Sequence, residues 1–251
     1  MKLNKRYSRS IKSNLSFYIS TSVLTIMTLV LFFTMNMAGE AIWKFGDDFF
    51  ASQKLEDANF TTYLSISDEE LTRLEKDYNV VLEPQYYSNI ETAGVTVRVF
   101  RKTDKINLYQ VTEGTDAIQK DQVIISEGYA VFNNISIGDF IKIGEKEFKI
   151  TGFFQRPDYL YMLQNEDDSY KNVTTFFLAY VTDEAFEELG SKNCLYLVQY
   201  MEENSEEFRK ASNGEFYMRA YLAAQENMRI DMVRMQAEMF IVMSYIILAI
   251  M

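Results

Sequence analysis

Paired carboxylates are the groups in this 251-residue chain whose types and spacing could support chemistry. Adjacent acidic residues occur at Asp47-Asp48, residues 166–168, Glu202-Glu203 and Glu206-Glu207. Two carboxylates can share the roles of acid and nucleophile in glycoside hydrolysis, but acidic runs are more often solvated surface. None of these runs has the Asp-x-Asp-x-Asp-Gly spacing of a calcium-binding loop. We therefore expect no catalytic residue, no metal and no cofactor in this chain.

The composition excludes several other kinds of site. The chain has no His and one Cys, Cys194, so it cannot build a Ser-His-Asp or Cys-His site, an intrachain disulfide or a Cys-rich metal site. No Gly-Lys pair occurs, which rules out a P-loop for nucleotide phosphates. The formal net charge of −11 disfavours nucleic acid as a partner, because its phosphates are bound by basic surfaces.

One segment, residues 153–161, combines aromatic rings with an arginine and a proline. Its sequence is FFQRPDYLY. Arg156, Tyr159 and Tyr161 could contact a partner or a substrate, since Arg and Tyr are frequent at the energetically important centre of interfaces. The alternative, in which these rings belong to the core of a domain, stays open at this point.

The charge distribution divides the chain into two environments. Residues 1–12 carry five basic side chains, and no acidic residue occurs before Glu40, whereas residues 40–251 hold 20 basic and 36 acidic side chains. Residues 13–39 are uncharged, and a helix of about 20 apolar residues crosses the ~30 Å of hydrocarbon in a bilayer. The sequence therefore predicts a transmembrane helix over 13–39, with a cytoplasmic N-terminus because the basic residues precede it. A cleaved signal peptide is the alternative, but its apolar core would be shorter.

A second apolar segment lies at the other end of the chain. Residues 239–251 are uncharged, but at about 1.5 Å per residue they span only about 20 Å. We expect them to be the start of a second transmembrane helix in a fragment of a longer protein, and a short helix in a soluble core is the alternative. Residues 40–238 would then be extracytoplasmic.

Apolar stripes at helical spacing extend from both apolar segments into the polar region. We predict that residues 40–58 and 215–238 form a stalk, two adjacent helices that join the membrane to an outer domain over 59–214. The stripe residues are Met35, Ala38, Ile42, Phe45 and Phe49 in the first helix and Met218, Tyr221, Met228, Met232, Met235 and Met239 in the second. Methionine is flexible, so a Met-rich contact tolerates sliding, although for each single Met ordinary packing is the alternative.

The outer domain reads as a mixed α+β fold. Runs of β-branched and aromatic residues predict strands, with short helices between them. The predicted strands are 60–66, 80–87, 94–100, 106–111, 122–126, 140–143, 147–154, 173–181 and 194–201. Ser67 and Glu70 have the spacing of a capping box, which starts a helix. Further short helices are predicted over 127–132, 183–189 and 203–211.

Part of this domain resembles a known family. Residues 123–130 (VIISEGYA), 137–143 (IGDFIKI) and 147–153 (EFKITGF) are similar to the extracytoplasmic core of FtsX-like (MacB-like) ABC transporter permeases. The order of parts is also similar, with a basic N-terminus, one spanning helix, a large outer domain and a helix that enters the membrane. Within this motif we expect Gly138 to take a positive φ and Asp139 to bond nearby backbone N–H groups, which are structural roles.

The resemblance implies a function that requires partners. It implies a permease in a bacterial cell membrane, surrounded by the lipid bilayer, driven by a separate ATP-binding subunit and working with a second permease copy or a paralogue. The stalk helices would pass movement to the outer domain, which would export or release a substrate. Members of the family have three further spanning helices after the outer domain, and these are missing from this sequence.

Two other functions fit the same layout. An extracytoplasmic sensor or receptor with a helix, an outer domain and a second helix would use paired helices equally well, since piston and rotation signals also travel through them. A membrane-anchored surface enzyme is the third hypothesis. The missing His and the lack of a nucleophile motif weigh against that enzyme.

Overall fold

The computed structural model describes residues 12–165, 168, 174–190, 192–201, 206–210 and 218–250, without the side chains of Met218 and Gln225. They form two compact units, one with the chain up to Asp47 and from Val233 onward, the other from Asp48 to Met232. The first unit is helical and the second is a mixed α+β domain, so the predicted fold class is confirmed. Most of the basic N-terminus, residues 1–11, lies outside the described part, as do 215–217 and 251 of the predicted second helix.

The helices differ greatly in length. In chain order they are α1 (Leu15–Ser52), α2 (Asp68–Tyr78), α3 (Glu127–Asn133), α4 (Asp183–Glu187) and α5 (Met228–Ile250). Both α1 and α5 are long and apolar enough to cross a membrane. The remaining helices are short and belong to the domain, as does a helical turn at 206–210 within the segment predicted as helical at 203–211.

The N-terminal part of α1 exposes an apolar surface. Phe17, Leu24, Ile26, Phe33 and Met37 are each between 58% and 66% exposed. Such a surface is unfavourable in water and favourable in lipid, where a spanning helix presents it to the hydrocarbon. The helix is therefore a membrane anchor or a secretion signal.

Threonine hydroxyls in α1 are satisfied within the helix. Thr25, Thr28 and Thr34 each donate to the carbonyl oxygen four residues earlier, at 2.8 to 2.9 Å. An unsatisfied hydroxyl is costly in hydrocarbon, and this back-bonding removes that cost. The frequent threonines of the segment are thus compatible with a lipid environment.

α1 ends earlier than the stalk extension predicted over 40–58. Lys54 takes a left-handed conformation with φ of 51°, and the Leu55 N–H donates to the Phe50 carbonyl at 2.9 Å. This is the hydrogen-bond pattern of a Schellman motif, which terminates a helix. The last residues of the predicted extension consequently lead into the first strand of the sheet.

A mixed sheet forms the domain. Its strands are β1 (Ala58–Thr62), β2 (Val80–Thr92), β3 (Val95–Phe100), β4 (Gln110–Gly114), β5 (Gln122–Ser126), β6 (Phe140–Ile143), β7 (Lys146–Gln155), β8 (Phe176–Val181), β9 (Asn193–Tyr200) and β10 (Met218–Ala223). The spatial order is β10-β1-β9-β2-β3-β8-β5-β7-β4, and β6 also pairs with β7. The β3–β8 and β5–β7 pairs are parallel and the other pairs antiparallel.

The sheet has two different faces. Leu71 and Leu74 of α2 belong to a core cluster with alternate residues of β1, β2 and β9. Tyr129 of α3 and Phe186 of α4 belong to a second cluster with alternate residues of β3, β5, β7 and β8. Strand registers place all these residues on one face. The second face carries an aromatic cluster that includes Tyr180, and it carries the candidate site.

Residues 218–223 correct the prediction of one continuous stalk helix over 215–238. They form β10, which pairs antiparallel with β1, so Met218 and Tyr221 lie in a strand and not in a helical stripe. The helix begins only at Met228, because the Asn227 side-chain oxygen accepts the Arg229 N–H at 3.0 Å as an N-cap.

The segment that resembles the permease core folds as expected. β5 leads into α3, a turn follows, and β6 and β7 form the hairpin. Gly138 has a φ of +100°, which favours glycine. Asp139 accepts the Ser136 N–H at 2.8 Å, the predicted backbone bond. The N-cap role of Ser67 is confirmed too, since its hydroxyl accepts the Glu70 N–H at 3.3 Å.

Two glycines allow a test of this packing. Gly94 and Gly114 have φ of +82° and +80°, but only Gly114 lies against the backbone, where an added Cβ would come within 2.8 Å of the Gly152 Cα. Gly94→Ala should cost about 1 kcal/mol of unfolding free energy from backbone strain alone. Gly114→Ala should cost at least ~2 kcal/mol more, because the β4–β7 pair must separate. Thermal unfolding of the detergent-solubilised chain measures both, and equal losses would contradict the close contact.

Candidate functional site

A cleft on the second face of the sheet is the candidate site. It has a volume of about 270 Å³ and lies over the neighbouring strands β10, β1, β9, β2 and β3, beside the segment after β7 and the start of α5. Its lining residues are Glu56, Asn59, Thr61, Gln85, Tyr87, Arg98, Phe100, Arg156, Asp158, Tyr159, Leu195, Ala220, Tyr221, Leu222 and Arg229. We call it the arginine cleft after its three arginines.

Arg156 contributes a buried charge to the arginine cleft. It is 2% exposed, and its Nη2 donates to Asp158 Oδ2 at 2.8 Å while Nε donates to Oδ1 of the same carboxylate. Nη1 donates to the Tyr180 hydroxyl at 2.9 Å, and Nη2 also reaches Gln85 Oε1 at 3.2 Å. Burial acts to lower the pKa of Arg156, but the Asp158 carboxylate holds that pKa above its usual value. The guanidinium is therefore charged, and every one of its nitrogens is bonded.

Local sequence explains how Arg156 meets its partner. Pro157 opens a turn of 3-10 helix, Pro157–Tyr159, and the Tyr159 N–H donates to the Arg156 carbonyl at 3.2 Å. Proline has a fixed φ, which suits the first position of such a turn. The turn brings Asp158 back to the guanidinium as a two-point ion pair.

Glu56 is a second buried acid in the lining. It is 2% exposed and accepts the side-chain amides of Asn59 and Asn107, both at 2.8 Å. Burial and the neighbouring Asp158 charge raise the pKa of Glu56 to about 8, against the opposing effects of Asn59, Arg156 and Asn107. Asn107 is held in place because its oxygen accepts the Glu56 N–H at 2.9 Å. The Asn59 amide can turn to accept the proton of a neutral Glu56.

Arg98 and Arg229 approach one tyrosine from two elements. Arg98, in β3, donates to Asn89 Oδ1 at 2.8 Å and to the Tyr159 hydroxyl. Arg229, in the first turn of α5, donates to the Leu163 carbonyl at 3.1 Å, and its guanidinium carbon lies 4.3 Å from the Tyr159 ring centre. Among the described residues, no ion pair joins Arg98 to a carboxylate. Polar and aromatic side chains surround the Arg98 guanidinium without neutralising its charge, so it can bind an anion.

Positive charge exceeds negative charge in the lining at neutral pH. The lining contains three arginines and one charged carboxylate, Asp158. Its other acid, Glu56, is mostly protonated at pH 7 because its pKa is about 8. Such a lining can hold an anion by charge-assisted hydrogen bonds. In the part of the chain that the structure describes, no group of three or more Cys, Asp or Glu side chains could hold a metal. Burial raises the pKa of Cys194 to about 11, which makes its reactive thiolate scarce at neutral pH.

A contact between α1 and α5 is the main feature of the helical unit. At Gly39 an added Cβ would come within 2.6 Å of Ile241 Cγ1 and 2.8 Å of the Ala237 carbonyl oxygen. The Asn36 amide donates to the Ser244 hydroxyl at 3.5 Å. Close packing through small residues, with polar contacts between helices, is typical of helix association in membranes.

The predicted stripes meet this contact only in part. In α1 the positions Met35, Ala38 and Ile42 are half-buried and Phe49 is buried, whereas Phe45 is 58% exposed. In α5 the stripe residues lie largely outside the contact: Met228 is 43%, Met235 58% and Met239 57% exposed, and Met232 is half-buried. Ala237 and Ser244 are buried instead. Small residues occupy the contact between α1 and α5 because they allow the two backbones to approach closely.

The predicted contact residues of the aromatic segment occupy the interior. Arg156 and Tyr159 are 2% and 7% exposed, and Tyr161 is half-buried, so the segment is packed into the domain and is not an exposed loop. Arg156 and Tyr159 nevertheless line the arginine cleft. Sequence reasoning missed Glu56 and Arg98. The charge of Arg98 within the apolar strand VTVRVF was the one available signal.

Comparisons with known proteins leave the family open. No family model matches the chain, and no curated protein matches it. Among solved structures, a Bacillus anthracis protein described as a lipoprotein is similar with a TM-score of 0.34 and 10% sequence identity. The similarity covers 65% of this chain and 95% of that one. A similarity at this score supports no functional assignment, so the FtsX-like resemblance stays a hypothesis.

The protonation of Glu56 predicts how stability depends on pH. Its carboxyl has a pKa of about 8 in the folded protein against 4.5 ordinarily, so the folded state binds the proton more tightly. Stability should therefore fall as pH rises from about 4.5 to about 8, by roughly 2–5 kcal/mol of unfolding free energy. Glu56→Gln should remove that loss, because glutamine keeps the shape without the charge. Thermal unfolding in detergent between these pH values measures it.

Glu69 provides the matched control for that experiment, because it is an exposed glutamate in α2. Glu69→Gln should unfold with the same pH dependence as the wild-type protein. The burial argument for Glu56 fails if Glu56→Gln and Glu69→Gln keep the wild-type pH dependence alike.

The helix contact predicts a clear effect of bulk at Gly39. A disulfide between Asn36→Cys and Ser244→Cys, in a Cys194→Ser background, should form readily because these side chains already touch. Gly39→Leu should lower the cross-linking yield severalfold, since overpacking of this kind costs about 1–3 kcal/mol. Met37→Leu, at a position that is 66% exposed, should leave the yield unchanged. Equal yields in the two variants would refute the close approach.

Proposed function

We propose that this chain is the membrane subunit of an ATP-driven transporter of the FtsX-like type. Its helices would lie in the lipid bilayer, with the N-terminus in the cytoplasm and the domain outside. A separate ATP-binding subunit would supply the energy, and a second permease copy or a paralogue would complete the assembly. The domain would then export or release a substrate.

The observation that carries this proposal is the pair of long apolar helices at the two ends of one folded domain. The chain leaves the apolar segment and enters the domain through a single continuous helix, α1. The same chain returns from the domain through α5, which packs on α1 at Gly39. Movement of either helix in the membrane therefore has a continuous covalent route into the domain.

Two further observations support the proposal. The strand, short helix, turn and hairpin of the motif at 123–153 have the conformations that the resemblance requires, including the positive φ at Gly138. The sequence lacks a P-loop, so ATP hydrolysis would require another chain. Both features fit a subunit that moves without performing chemistry of its own.

An extracytoplasmic sensor is the second candidate, and the arginine cleft favours it. A receptor domain needs a site for a small ligand, and clefts with an apolar lining and a few convergent polar groups are typical ligand sites. A transporter can use such a cleft equally well for regulation or for its substrate. The two candidates differ in the partner, which is an ATPase for the transporter and a signalling module for the sensor.

A proline in α5 provides the test. Met228 is the first residue of α5, where proline is tolerated, so the substitution belongs further along, at Met235. Met235→Pro should kink the helix and remove a backbone hydrogen bond. In membranes that contain the whole assembly, it should uncouple ATP turnover from substrate movement, lowering transport at least tenfold (about 1.4 kcal/mol of coupling).

Met235→Leu is the matched control, because it keeps a flexible apolar side chain at the same exposed position. It should preserve both ATP turnover and transport. Two results would contradict the proposal. One is that no ATPase activity co-purifies with the tagged chain, and the other is that Met235→Pro transports as well as Met235→Leu. Co-purifying kinase activity would favour the sensor.

A further inference from the structure

We propose that the arginine cleft binds a small ligand that combines one carboxylate or phosphate group with an apolar body. This inference goes beyond the transporter proposal, because a sensor and a transporter could both use such a site. It rests on the shape of the cleft, on its charges and on its aromatic lining.

The size of the cleft limits what can bind there. The volume of about 270 Å³ is slightly below the usual range of ligand sites, which is about 300–1,000 Å³. A molecule with the size of a capped amino acid fits this space, whereas a folded protein surface or a long chain does not.

The charge of the lining favours an anionic ligand. Arg98 lies in the lining with no carboxylate partner among the described residues. Asp158 is already engaged by Arg156 through both oxygens. Glu56 is bonded to Asn59 and Asn107, and it is mostly protonated at pH 7. The positive charge of Arg98 is therefore left for a ligand.

Neighbouring side chains hold Arg98 in a fixed position. Its Nε donates to Asn89 and its Nη1 to the Tyr159 hydroxyl. Its guanidinium carbon lies 5.1 Å from the Tyr87 ring centre and 5.4 Å from the Phe176 ring centre. These contacts fix the guanidinium while several of its five N–H groups stay available, and a fixed donor loses little entropy on binding.

Part of the lining of the cleft is apolar. Tyr87 and Phe100 lie on one face of adjacent strands, and Leu195, Ala220 and Leu222 lie on neighbouring strands of the same face. An anion without an apolar body would leave this surface in water. The cleft therefore favours an acid that carries an aromatic or aliphatic group.

A matched set of probes tests the proposal on the whole chain in detergent. N-acetylphenylalanine carries a carboxylate, phenyl phosphate carries a phosphate, and N-acetylphenylalaninamide has the same body as the first without the charge. Isothermal titration should detect binding of at least one acid at low salt. The amide should bind at least about tenfold more weakly, because it cannot form a charge-assisted hydrogen bond with Arg98. The stronger of the two acids identifies the anionic group.

Variants of Arg98 then locate the site. Arg98→Gln should weaken the acid at least about tenfold, and Arg98→Lys should recover part of the affinity because it restores the charge. Arg73→Gln, which removes an arginine from α2 outside the cleft, should bind as the wild-type protein does. Acids that bind no better than the amide would overturn the proposal, and so would unchanged binding in Arg98→Gln.

A second variant guards against a loss of folding. Thermal unfolding without ligand is measured first for each variant. Should Arg98→Gln unfold at a clearly lower temperature, Thr61→Phe takes its place, because Thr61 lines the cleft from β1 and a ring there fills the space. Thr61→Phe should abolish binding of the acid, and unchanged binding would overturn the proposal. Neither result depends on ATP turnover, so the transporter proposal stands or fails separately.

Discussion

The buried ion pair between Arg156 and Asp158 is the constraint on which the domain depends. A charge removed from water is stable only when it is paired and its remaining hydrogen-bonding groups are satisfied. Arg156 meets this condition by reaching β2 through Gln85 and β8 through Tyr180, while it stacks 4.0 Å from the Phe100 ring centre in β3. One side chain thus fixes three strands and the segment after β7 relative to one another, and the arginine cleft takes its shape from them.

The two units pack through different kinds of residue. The domain is stabilised by removing apolar side chains from water. Between its short helices and one face of the sheet, the two core clusters contain many large apolar residues such as Leu, Val and Phe. In a bilayer the apolar helices would lack that driving force, since hydrocarbon solvates an apolar side chain well. The contact there uses Gly39, Ala237 and Ser244, which gain van der Waals contact and a polar interaction from close approach.

Local patterns in the sequence predicted most strands and helices, but not how they pair. The run at 122–126 and the helix after it were correct, because β-branched residues bounded by turn residues form a strand in most contexts. The place of β9 between β1 and β2 was beyond prediction, since pairing between distant segments leaves no local pattern. β10 was missed because MRAYLA has no strict alternation and its Met and Tyr imitate a helical stripe. The cleft was missed because its residues come from distant segments, which meet only after the sheet forms.

The acidic surface of the protein gives the positive cleft its selectivity. Residues 40–251 hold 16 more acidic than basic side chains, so the domain as a whole repels anions that approach from solution. At physiological ionic strength this repulsion is screened beyond about 8 Å, whereas contacts inside the cleft are screened much less. A simple inorganic anion gains little from entering such a field. An acid with an apolar body also buries apolar surface in the cleft, which adds binding free energy to that of its bond with Arg98. The lining therefore favours such an acid over a simple inorganic anion.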